Sequence, residues 1–305
     1  MRYFLLLALP LVFLTTACDD ESFSQTVDIP FPEHEPLPAM SMDMRSGDSS
    51  LFFRLALSRG ILDERMETSR AASITLLKDE QPFFSSDVQM DNSDGSNAQV
   101  RLDEPISDEP ASYRLIGKVE GFPDVEATQT MPAKPDFTLV SYEPDGAINV
   151  EGLRVDKIEL DLRDDAAIEN YYGFRVMSEG SVCSFNENTG SFNCRRESGF
   201  ARELFVDSPD PLFKESVGYG LVVTDQSFNG GTLRVRLQAD NYSDAIIALE
   251  VYNLTEDAYR YAVSKLAYDD AGDNPFAEPV NVHNNVAEGY GIFIVGNRVL
   301  EVLEE

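Results

Sequence analysis

The sequence predicts an all-β protein, mainly strands with a single helix, arranged as two antiparallel β domains. Short segments in which apolar and polar residues alternate recur along the chain, as expected for strands with one buried face. Glycine, proline, asparagine and aspartate separate these segments, which is typical of turns. Only one stretch repeats its apolar residues at helical spacing. The length of 305 residues fits roughly two domains.

The first 17 residues predict a secretory signal peptide. Arg2 supplies a positive charge, an apolar run extends from Phe4 to Leu14, and small residues lead up to Cys18. This run is too short to cross a bilayer, so it indicates export rather than a membrane span. A cysteine directly after small residues resembles the bacterial lipoprotein signal, which predicts that lipid is attached to Cys18. Ordinary secretion with cleavage nearby is the alternative.

Residues 18–38 predict an extended acidic spacer, because four prolines forbid a helix. Acidic residues directly after a lipidated cysteine resemble the surface-export signal of lipoproteins in the Bacteroidota. The predicted location is therefore the outer membrane, with the protein lipid-anchored and facing the cell exterior. The formal net charge of the chain is −30, which disfavours nucleic acid as a partner because the phosphates would be repelled.

The first domain is predicted at residues 39–134, as an immunoglobulin-like or prealbumin-like sandwich. Met40, Met42 and Met44 alternate before a Ser-Gly-Asp-Ser turn, and alternation resumes over 51–57, which predicts a β-hairpin. Alternating methionines also resemble a copper(I) site, but methionine fills cores readily, and we favour a core strand. Further strands are predicted at 72–77, 98–102, 112–118 and 125–131.

Two polar stretches of this half are interpreted as connections. Residues 91–97 are rich in Asp, Asn and Ser, but counting back from Gly95 places Met90 at the first ligand position of an EF-hand loop. The calcium register therefore fails, and we predict a turn. The segment 132–135, with a proline at each end, predicts the domain boundary.

The second domain, residues 135–305, is also rich in alternating segments. Its strands are predicted at 158–162, 172–176, 220–223, 233–237, 247–251 and 292–303. A helix is predicted at 255–268, with Thr255 as its N-cap and two acidic residues in its first turn. Its apolar stripe consists of Tyr259, Ala262, Val263 and Leu266.

The cysteines Cys183 and Cys194 predict a disulfide across a hairpin. When their segment folds about its central Asn-Thr pair, Cys183 lies opposite Cys194, and Phe185 lies opposite Phe192. Residues directly opposite each other on neighbouring strands are close enough for a disulfide, and an exported chain meets oxidising conditions. The bond would stabilise the fold by about 2–3 kcal/mol. The alternative, a metal-binding pair, lacks further ligands nearby.

Three segments resemble the Bacteroidota lipoproteins of domain of unknown function 4249: LDLRDDAAIENYYGFRV, VVTDQSFNGGTLRVRL, and the predicted helix followed by NPFAEPVNVHNNVAEGYGIF. The last motif, residues 274–293, is the most specific in combination. The resemblance implies an outer-membrane lipoprotein that neighbours a TonB-dependent receptor. It implies no biochemical activity, so no catalytic residue is carried over.

Few residues of the chain are suited to catalysis. A serine triad would need His283 as its base, yet no Gly-x-Ser-x-Gly motif is present. The paired cysteines leave no free thiol, and zinc would need clustered ligands. We therefore predict that the chain is not an enzyme and uses no cofactor. A carboxylate-based hydrolase is a less favoured alternative, because sequence spacing does not place acidic residues in space.

The predicted binding residues are His283, Asn284, Asn285 and Tyr290, in the long loop before the last strand. Loops on a β scaffold often carry recognition. For the histidine and the asparagines we favour the alternative that they satisfy the loop's own backbone groups. The apolar residues predicted to anchor this loop in the core are Phe276, Ile292 and Phe293.

These features together predict a non-catalytic surface lipoprotein that binds a ligand or partner, as an accessory to TonB-dependent uptake. A structural envelope or adhesion lipoprotein is the main alternative. No metal site is predicted, but calcium stays open through hard oxygen ligands. Two groups of aspartates could supply such ligands. The first group is Asp161, Asp164 and Asp165, and the second is Asp269, Asp270 and Asp273.

Overall fold

Three β-sheets and one long helix make up the described chain. The computed structural model describes residues 34–60, 69–90, 96–186, 191–241, 246–272 and 277–304. The predicted signal peptide, Cys18 and most of the spacer lie outside these ranges. From Pro36 onward, the described residues belong to one compact unit.

The elements of the described residues confirm the all-β prediction, with a single α-helix among them. In the first half the strands are β1 (Pro38–Arg45), β2 (Ser50–Leu57), β3 (Arg70–Lys78), β4 (Gln81–Met90), β5 (Ser96–Arg101), β6 (Ser112–Val119) and β7 (Val125–Thr130). In the second half they are β8 (Asp136–Ile148), β9 (Arg154–Arg163), β10 (Tyr171–Asn186), β11 (Ser191–Leu204), β12 (Val206–Asp207), β13 (Lys214–Ser216), β14 (Gly220–Thr224), β15 (Thr232–Ala239), β16 (Ile247–Leu254) and β17 (Tyr290–Leu303). The helix α1 (Glu256–Gly272) lies between β16 and β17.

The largest sheet, which we call the long sheet, crosses the predicted domain boundary at residue 134. Its strand order is β13-β14-β10-β16-β17-β1-β2-β5, with β11 also paired to β10. The junction between the two halves is the parallel pair β1–β17, in which Met40 is the partner of Gly291. Two four-stranded sheets, β4-β3-β6-β7 and β12-β15-β9-β8, complete the fold. The two predicted halves therefore share one sheet, and one of its strand pairs is parallel.

Two apolar cores lie against one face of the long sheet. The N-terminal core joins β1 and β2 to β3, β6 and β7, and the C-terminal core joins β10 and β16 to β9 and β15. Strand β17 contributes Phe293 and Val295 to the first core and Leu303 to the second. Because these positions are an even number of residues apart, they point to the same face. The molecule therefore consists of two β-sandwiches built on one shared sheet.

The methionine strand is a core strand, as predicted. Met40, Met42 and Met44 are 1%, 2% and 0% exposed, respectively. They pack with Leu51 and Phe53 of the neighbouring strand in the N-terminal core. The flexible methionine side chains fill this interior without polar atoms that need partners.

Helix α1 covers part of the opposite face of the long sheet. The Thr255 hydroxyl accepts a hydrogen bond from Ala258 N at 3.3 Å, which confirms the predicted N-cap. The helix continues four residues beyond the predicted end, to Gly272. Its buried residues Ala258 and Ala262 pack against tyrosines and isoleucines of the sheet. No helix in the described part of the chain is long and apolar enough to span a membrane.

The cysteine hairpin has the predicted register. Strands β10 and β11 pair so that Cys183 is the partner of Cys194 and Phe185 is the partner of Phe192. The side chains of these residues lie outside what the structure describes, so the disulfide stays a prediction. Beyond Ser178, β10 pairs only with β11 among the described strands. The hairpin therefore extends past the rest of the sheet as a two-stranded ribbon.

Candidate binding cleft

An open cleft of about 520 Å³ lies on the helix-bearing face of the long sheet. Its floor comes from β17, β1, β2 and β5, and its walls come from α1 and from the turn between β13 and β14. Sites for small ligands are typically clefts of about 300–1,000 Å³, apolar with a few polar groups. The size and the lining of this cleft make it the best candidate binding site in the described part of the chain.

The residues of the cleft floor form two rows, each of which runs across neighbouring strands through paired positions. One row contains Ile292, Ser41, Arg54 and Asn97, and the other contains Ile294, Asp43 and Phe52. On β1 and β2 these residues alternate with residues of the N-terminal core, so their side chains point to the other face. Phe52 is 62% exposed, which places a large apolar ring at the surface of the cleft.

The walls are tied to each other by the backbone. Val217 N, in the turn between β13 and β14, donates a hydrogen bond to Ala262 O of α1 at 3.3 Å. Gly218 in the same turn has a φ of +85°, a conformation that glycine adopts without strain. Tyr261 of α1 lines the cleft beside this turn. The position of the turn is therefore fixed by the helix.

One carboxylate of the floor, Asp43, is held by neighbouring side chains. Arg45 Nη2 lies 2.6 Å from Asp43 Oδ2, and the Tyr219 hydroxyl donates to Asp43 Oδ1 at 3.3 Å. The Arg45 guanidinium lies over the rings of Tyr219 and Tyr252, 4.9 and 5.3 Å from their centroids, as in cation–π contacts. Burial alone lowers the pKa of Arg45, but Asp43, Tyr219 and Tyr252 together outweigh it, and the net shift of the pKa is upward.

The same arrangement keeps Tyr219 protonated. Burial is the main cause that raises the pKa of Tyr219 well above its ordinary value, and the charge of Asp43 adds to it. The phenol therefore remains a hydrogen-bond donor to Asp43 at neutral pH. Asp43 thus keeps a fixed orientation in the cleft.

A buried acidic residue, Glu250, extends this network into the centre of the long sheet. The Tyr252 hydroxyl donates to Glu250 Oε2 at 2.6 Å. Glu250 also lies 3.2 Å from Arg298 Nη1 and 3.4 Å from Arg175 Nη1. A buried carboxylate is tolerated when it is paired and hydrogen-bonded in this way. Because Arg45 Nη1 donates to the Tyr252 hydroxyl at 3.1 Å, the network joins β1 to β10, β16 and β17.

Three of the four binding residues predicted from sequence, His283, Asn284 and Asn285, have internal hydrogen-bond partners. Asp257 of α1 accepts hydrogen bonds from Gln129 at 2.5 Å and from Asn285 at 3.2 Å, and its Oδ1 lies 2.6 Å from His283 Nε2. Burial raises the pKa of Asp257, but hydrogen bonds from His283, Asn285 and Gln129 outweigh it, so the pKa is lowered. We call Asp257 and these three partners the Asp257 cluster.

The asparagines of the loop also bond to its backbone. Asn285 donates to Phe293 O at 2.7 Å and accepts from Phe293 N at 2.9 Å, as a neighbouring strand would. Asn284 accepts from Val286 N at 3.1 Å. Tyr290 is exposed at the start of β17 and does not line the cleft. The geometry agrees with the favoured structural interpretation of both asparagines.

The loop anchors agree with the prediction where they are described. Ile292 and Phe293 are both buried, whereas Phe276 lies outside the described residues. Ser264, a described serine near His283, is not aligned as a nucleophile, because its hydroxyl accepts a hydrogen bond from the His283 backbone N at 2.9 Å and donates to Tyr261 O at 3.2 Å.

Four of the six aspartates considered for calcium have other partners in the described structure. Asp161 pairs with Arg234 at 2.6 Å, and Asp164 accepts hydrogen bonds from the Tyr172 hydroxyl and from Gly230 N, both at 2.7 Å. Asp165 accepts from the backbone N of the residue two positions on, and Asp269 pairs with Lys265. Asp273 lies outside the described residues. Within the described ranges, no group of three or more His, Cys, Asp or Glu is placed to hold a metal ion.

Sequence reasoning missed the cleft, although one residue signals it. In the predicted strand LFFRLAL, the core positions are Leu51, Phe53 and Leu55, so Phe52 places a large apolar ring on the outward face. Such a residue on the polar side of an alternating strand indicates a second contact surface. The approach of Tyr261 cannot be recognised from local sequence, because α1 lies about 200 residues further along the chain.

Comparisons with known proteins support one assignment. A comparison with curated proteins gave no match. Among solved structures, the chain is similar to the crystal structure of CBD12 from CALX1.2, with 10% identity, coverage of 84% of this chain and 98% of that chain, and a TM-score of 0.23; no argument rests on so low a score. The model of the family described as Domain of unknown function (DUF4249) matches residues 44–300. Because this match spans both cores and the helix, the chain belongs to the DUF4249 family.

Proposed function

We propose that the protein is a non-catalytic, lipid-anchored lipoprotein of the outer membrane that binds a ligand or partner outside the cell, as an accessory to TonB-dependent uptake. The observation that carries the binding function is the cleft on the long sheet. Its floor belongs to paired strands and its wall is bonded to α1. Such a site is formed before a ligand arrives, which reduces the cost of binding.

The lining of the cleft supports binding rather than catalysis. Of its described residues, Asp43 is the single carboxylate, whereas glycoside hydrolysis uses a pair of carboxylates on either side of the bond. Asp43 is already paired with Arg45 and hydrogen-bonded by Tyr219. The lining also contains no histidine or cysteine among the described residues. The proposal therefore involves no catalytic residue and no cofactor.

The anchoring part of the proposal rests on the sequence around Cys18. Lipid at this residue would hold the chain to the membrane, and the acidic spacer would place the sandwiches at a distance from it. Cell fractionation tests this directly: wild type should remain with the outer membrane and be degraded by protease added to intact cells. Cys18→Ser should lose membrane attachment. Recovery of Cys18→Ser in the membrane pellet, or of wild type in the cytosol, would contradict the proposal.

The uptake role has its own test. A pull-down from detergent-solubilised outer membrane should recover a TonB-dependent receptor in stable association with the wild-type chain. Recovery of extracellular matrix proteins without such a receptor would instead favour the adhesion alternative.

One observation favours the adhesion alternative. The turn between β8 and β9 exposes Ile148, Val150 and Leu153, and Val150 is 97% exposed. The Asn149 side chain accepts hydrogen bonds from Glu151 N and Leu153 N, both at 3.0 Å, so the turn has a fixed shape. An exposed apolar tip of this kind is suited to contact with another macromolecule. If it serves adhesion, Val150→Asp should reduce cell attachment while Phe52→Ala leaves it unchanged.

A further inference from the structure

We propose that the cleft binds a neutral, hydroxyl-rich ring of the kind that a saccharide presents, with one ring face stacked on Phe52. This inference rests on the proposed binding function and deepens it by naming the class of ligand. It follows from three properties of the described lining: an exposed aromatic ring, a mixed set of hydrogen-bonding groups, and charges that are already paired.

The first of these properties is the exposed aromatic ring. Phe52 presents a ring that is 62% exposed, directly beside Asp43 in the neighbouring strand. Tyr261 adds a second ring in the wall. A flat apolar surface of this kind favours a ligand that has a flat apolar face of its own. The C–H face of a sugar ring meets that requirement, while its edge carries hydroxyl groups.

The polar groups of the floor match hydroxyl groups. Ser41 and Asn97 each donate and accept hydrogen bonds, Asp43 accepts, and Arg54 donates. A hydroxyl group also does both, so a ring with several hydroxyls uses donors and acceptors together. A ligand that only donates or only accepts would leave part of this set without a partner, which is costly in a desolvated site.

The charges of the cleft favour a neutral ligand. Asp43 is paired with Arg45 at 2.6 Å, so a cationic ligand would compete with a guanidinium that is already in place. An anionic ligand would approach a chain whose formal net charge is −30, and it would meet the Asp43 carboxylate on the floor. Arg54, the other charged residue of the described lining, already interacts with another group. Neither charged class therefore gains a new ion pair without loss, whereas a neutral hydroxyl can donate to Asp43 without displacing Arg45.

Saturation-transfer NMR tests this inference, because it detects weak binding of small neutral molecules. The protein is the mature chain with Cys18→Ser, and the probes are methyl glucoside, methyl galactoside, methyl N-acetylglucosaminide, and a blocked trialanine peptide as the neutral non-saccharide. We expect at least one glycoside to bind, and Phe52→Ala to weaken its binding by about tenfold. The matched control is Phe205→Ala, since Phe205 is 58% exposed and lies outside the cleft lining.

Each outcome decides the inference. Glycoside binding that Phe52→Ala weakens and Phe205→Ala does not would support it, and Asn97→Ala should then change the preference among the glycosides. Absence of glycoside binding, equal effects of the two phenylalanine variants, or Phe52-dependent binding of the peptide alone would each overturn it. Failure here leaves the fractionation and pull-down results standing, so the ligand class and the lipoprotein function are tested separately.

Discussion

Replacement of Asp257 by alanine should destabilise the protein by about 2–4 kcal/mol. Asp257 is the shared acceptor of the Asp257 cluster, which joins α1, β7 and the loop before β17. The largest loss comes from Gln129, which is buried and would keep an unpartnered amide, at a cost of about 1–3 kcal/mol. His283 and Asn285 add less, because His283 reaches water and Asn285 keeps its bonds to Phe293. The negative charge also favours the helix N-terminus, by about 0.3–1 kcal/mol.

Urea unfolding at pH 7 measures this change. The control is Asp269→Ala on the same helix, where an exposed i,i+4 pair with Lys265 is lost, and it should cost about 0.5 kcal/mol or less. An Asp257→Ala variant within about 0.5 kcal/mol of wild type, or equal to the control, would refute the reasoning.

Wild type and Asp257→Ala also allow a test of the Asp257 cluster by pH. The pKa of Asp257 is lowered from its ordinary value of 3.8, so the unfolded chain takes up the proton first as the pH falls. The contribution of the carboxylate to stability is therefore complete above pH 3.8 and is lost as the pH falls through the folded pKa. The difference in unfolding free energy between wild type and Asp257→Ala should therefore shrink as the pH falls below about 4. A difference that grows over that same range would contradict the assignment.

Three further changes test other parts of the fold. Gly291→Ala should prevent stable folding, measured as soluble yield and thermal unfolding, because a Cβ at this φ of +119° would overlap the Met40 carbonyl oxygen. Glu250→Gln should cost about 1–3 kcal/mol in urea unfolding, because it removes a buried carboxylate from two arginines that keep one further carboxylate each. Cys183→Ser with Cys194→Ser should cost about 2–3 kcal/mol, and alkylation should add mass to the wild-type pair only after reduction.

Matched variants test whether these losses of stability are specific to the chosen positions or follow from any substitution nearby. Gly272→Ala should be neutral, because a Cβ there meets no atom within 4 Å. Glu256→Gln removes an exposed i,i+4 partner of Arg260 and should cost less than about 0.5 kcal/mol. Free thiols in the native wild type, detected by alkylation without reductant, would overturn the disulfide prediction.

Local sequence predicted the strands whose two faces differ in burial. Alternation over 40–44 and 51–57 marks β1 and β2, because every second residue enters the N-terminal core. The register of the cysteine hairpin was also predictable, since a short loop fixes which residues lie opposite each other. In each of these cases the physical cause acts between residues that are close in the chain.

The strands that sequence reasoning missed lack that signal. Strand β8, Asp136–Ile148, is partly or fully exposed along its whole length and contains Pro144. Strand β4, Gln81–Met90, buries only Met90. Both lie at the edges of their four-stranded sheets, where a strand has few core contacts and tolerates polar residues on both faces. Their pairing is decided by the neighbouring strand rather than by their own pattern.

The pairing of β1 with β17 joins residues about 250 positions apart, and no local pattern encodes such a contact. The pairing nevertheless requires residues without a side chain, and two such residues, Gly289 and Gly291, lie in the motif at residues 274–293. At Gly289 a Cβ would overlap the Pro38 carbonyl oxygen, and at Gly291 it would overlap that of Met40. Both glycines therefore allow the two strands to approach each other at the start of β17.

This junction also builds the candidate site. Because Ser41 pairs with Ile292, and Asp43 pairs with Ile294, the two halves of the long sheet meet in the floor of the cleft. The glycines of the family motif, together with Asn285 on the Phe293 backbone, hold that floor in place without lining it. The motif at residues 274–293 thus supports the cleft structurally, while Phe52, which would meet a ligand, lies in a different strand of the same family match. The scaffold and the contact surface are therefore encoded in different segments of this chain, so a substitution at Phe52 leaves the strand contacts of the motif in place.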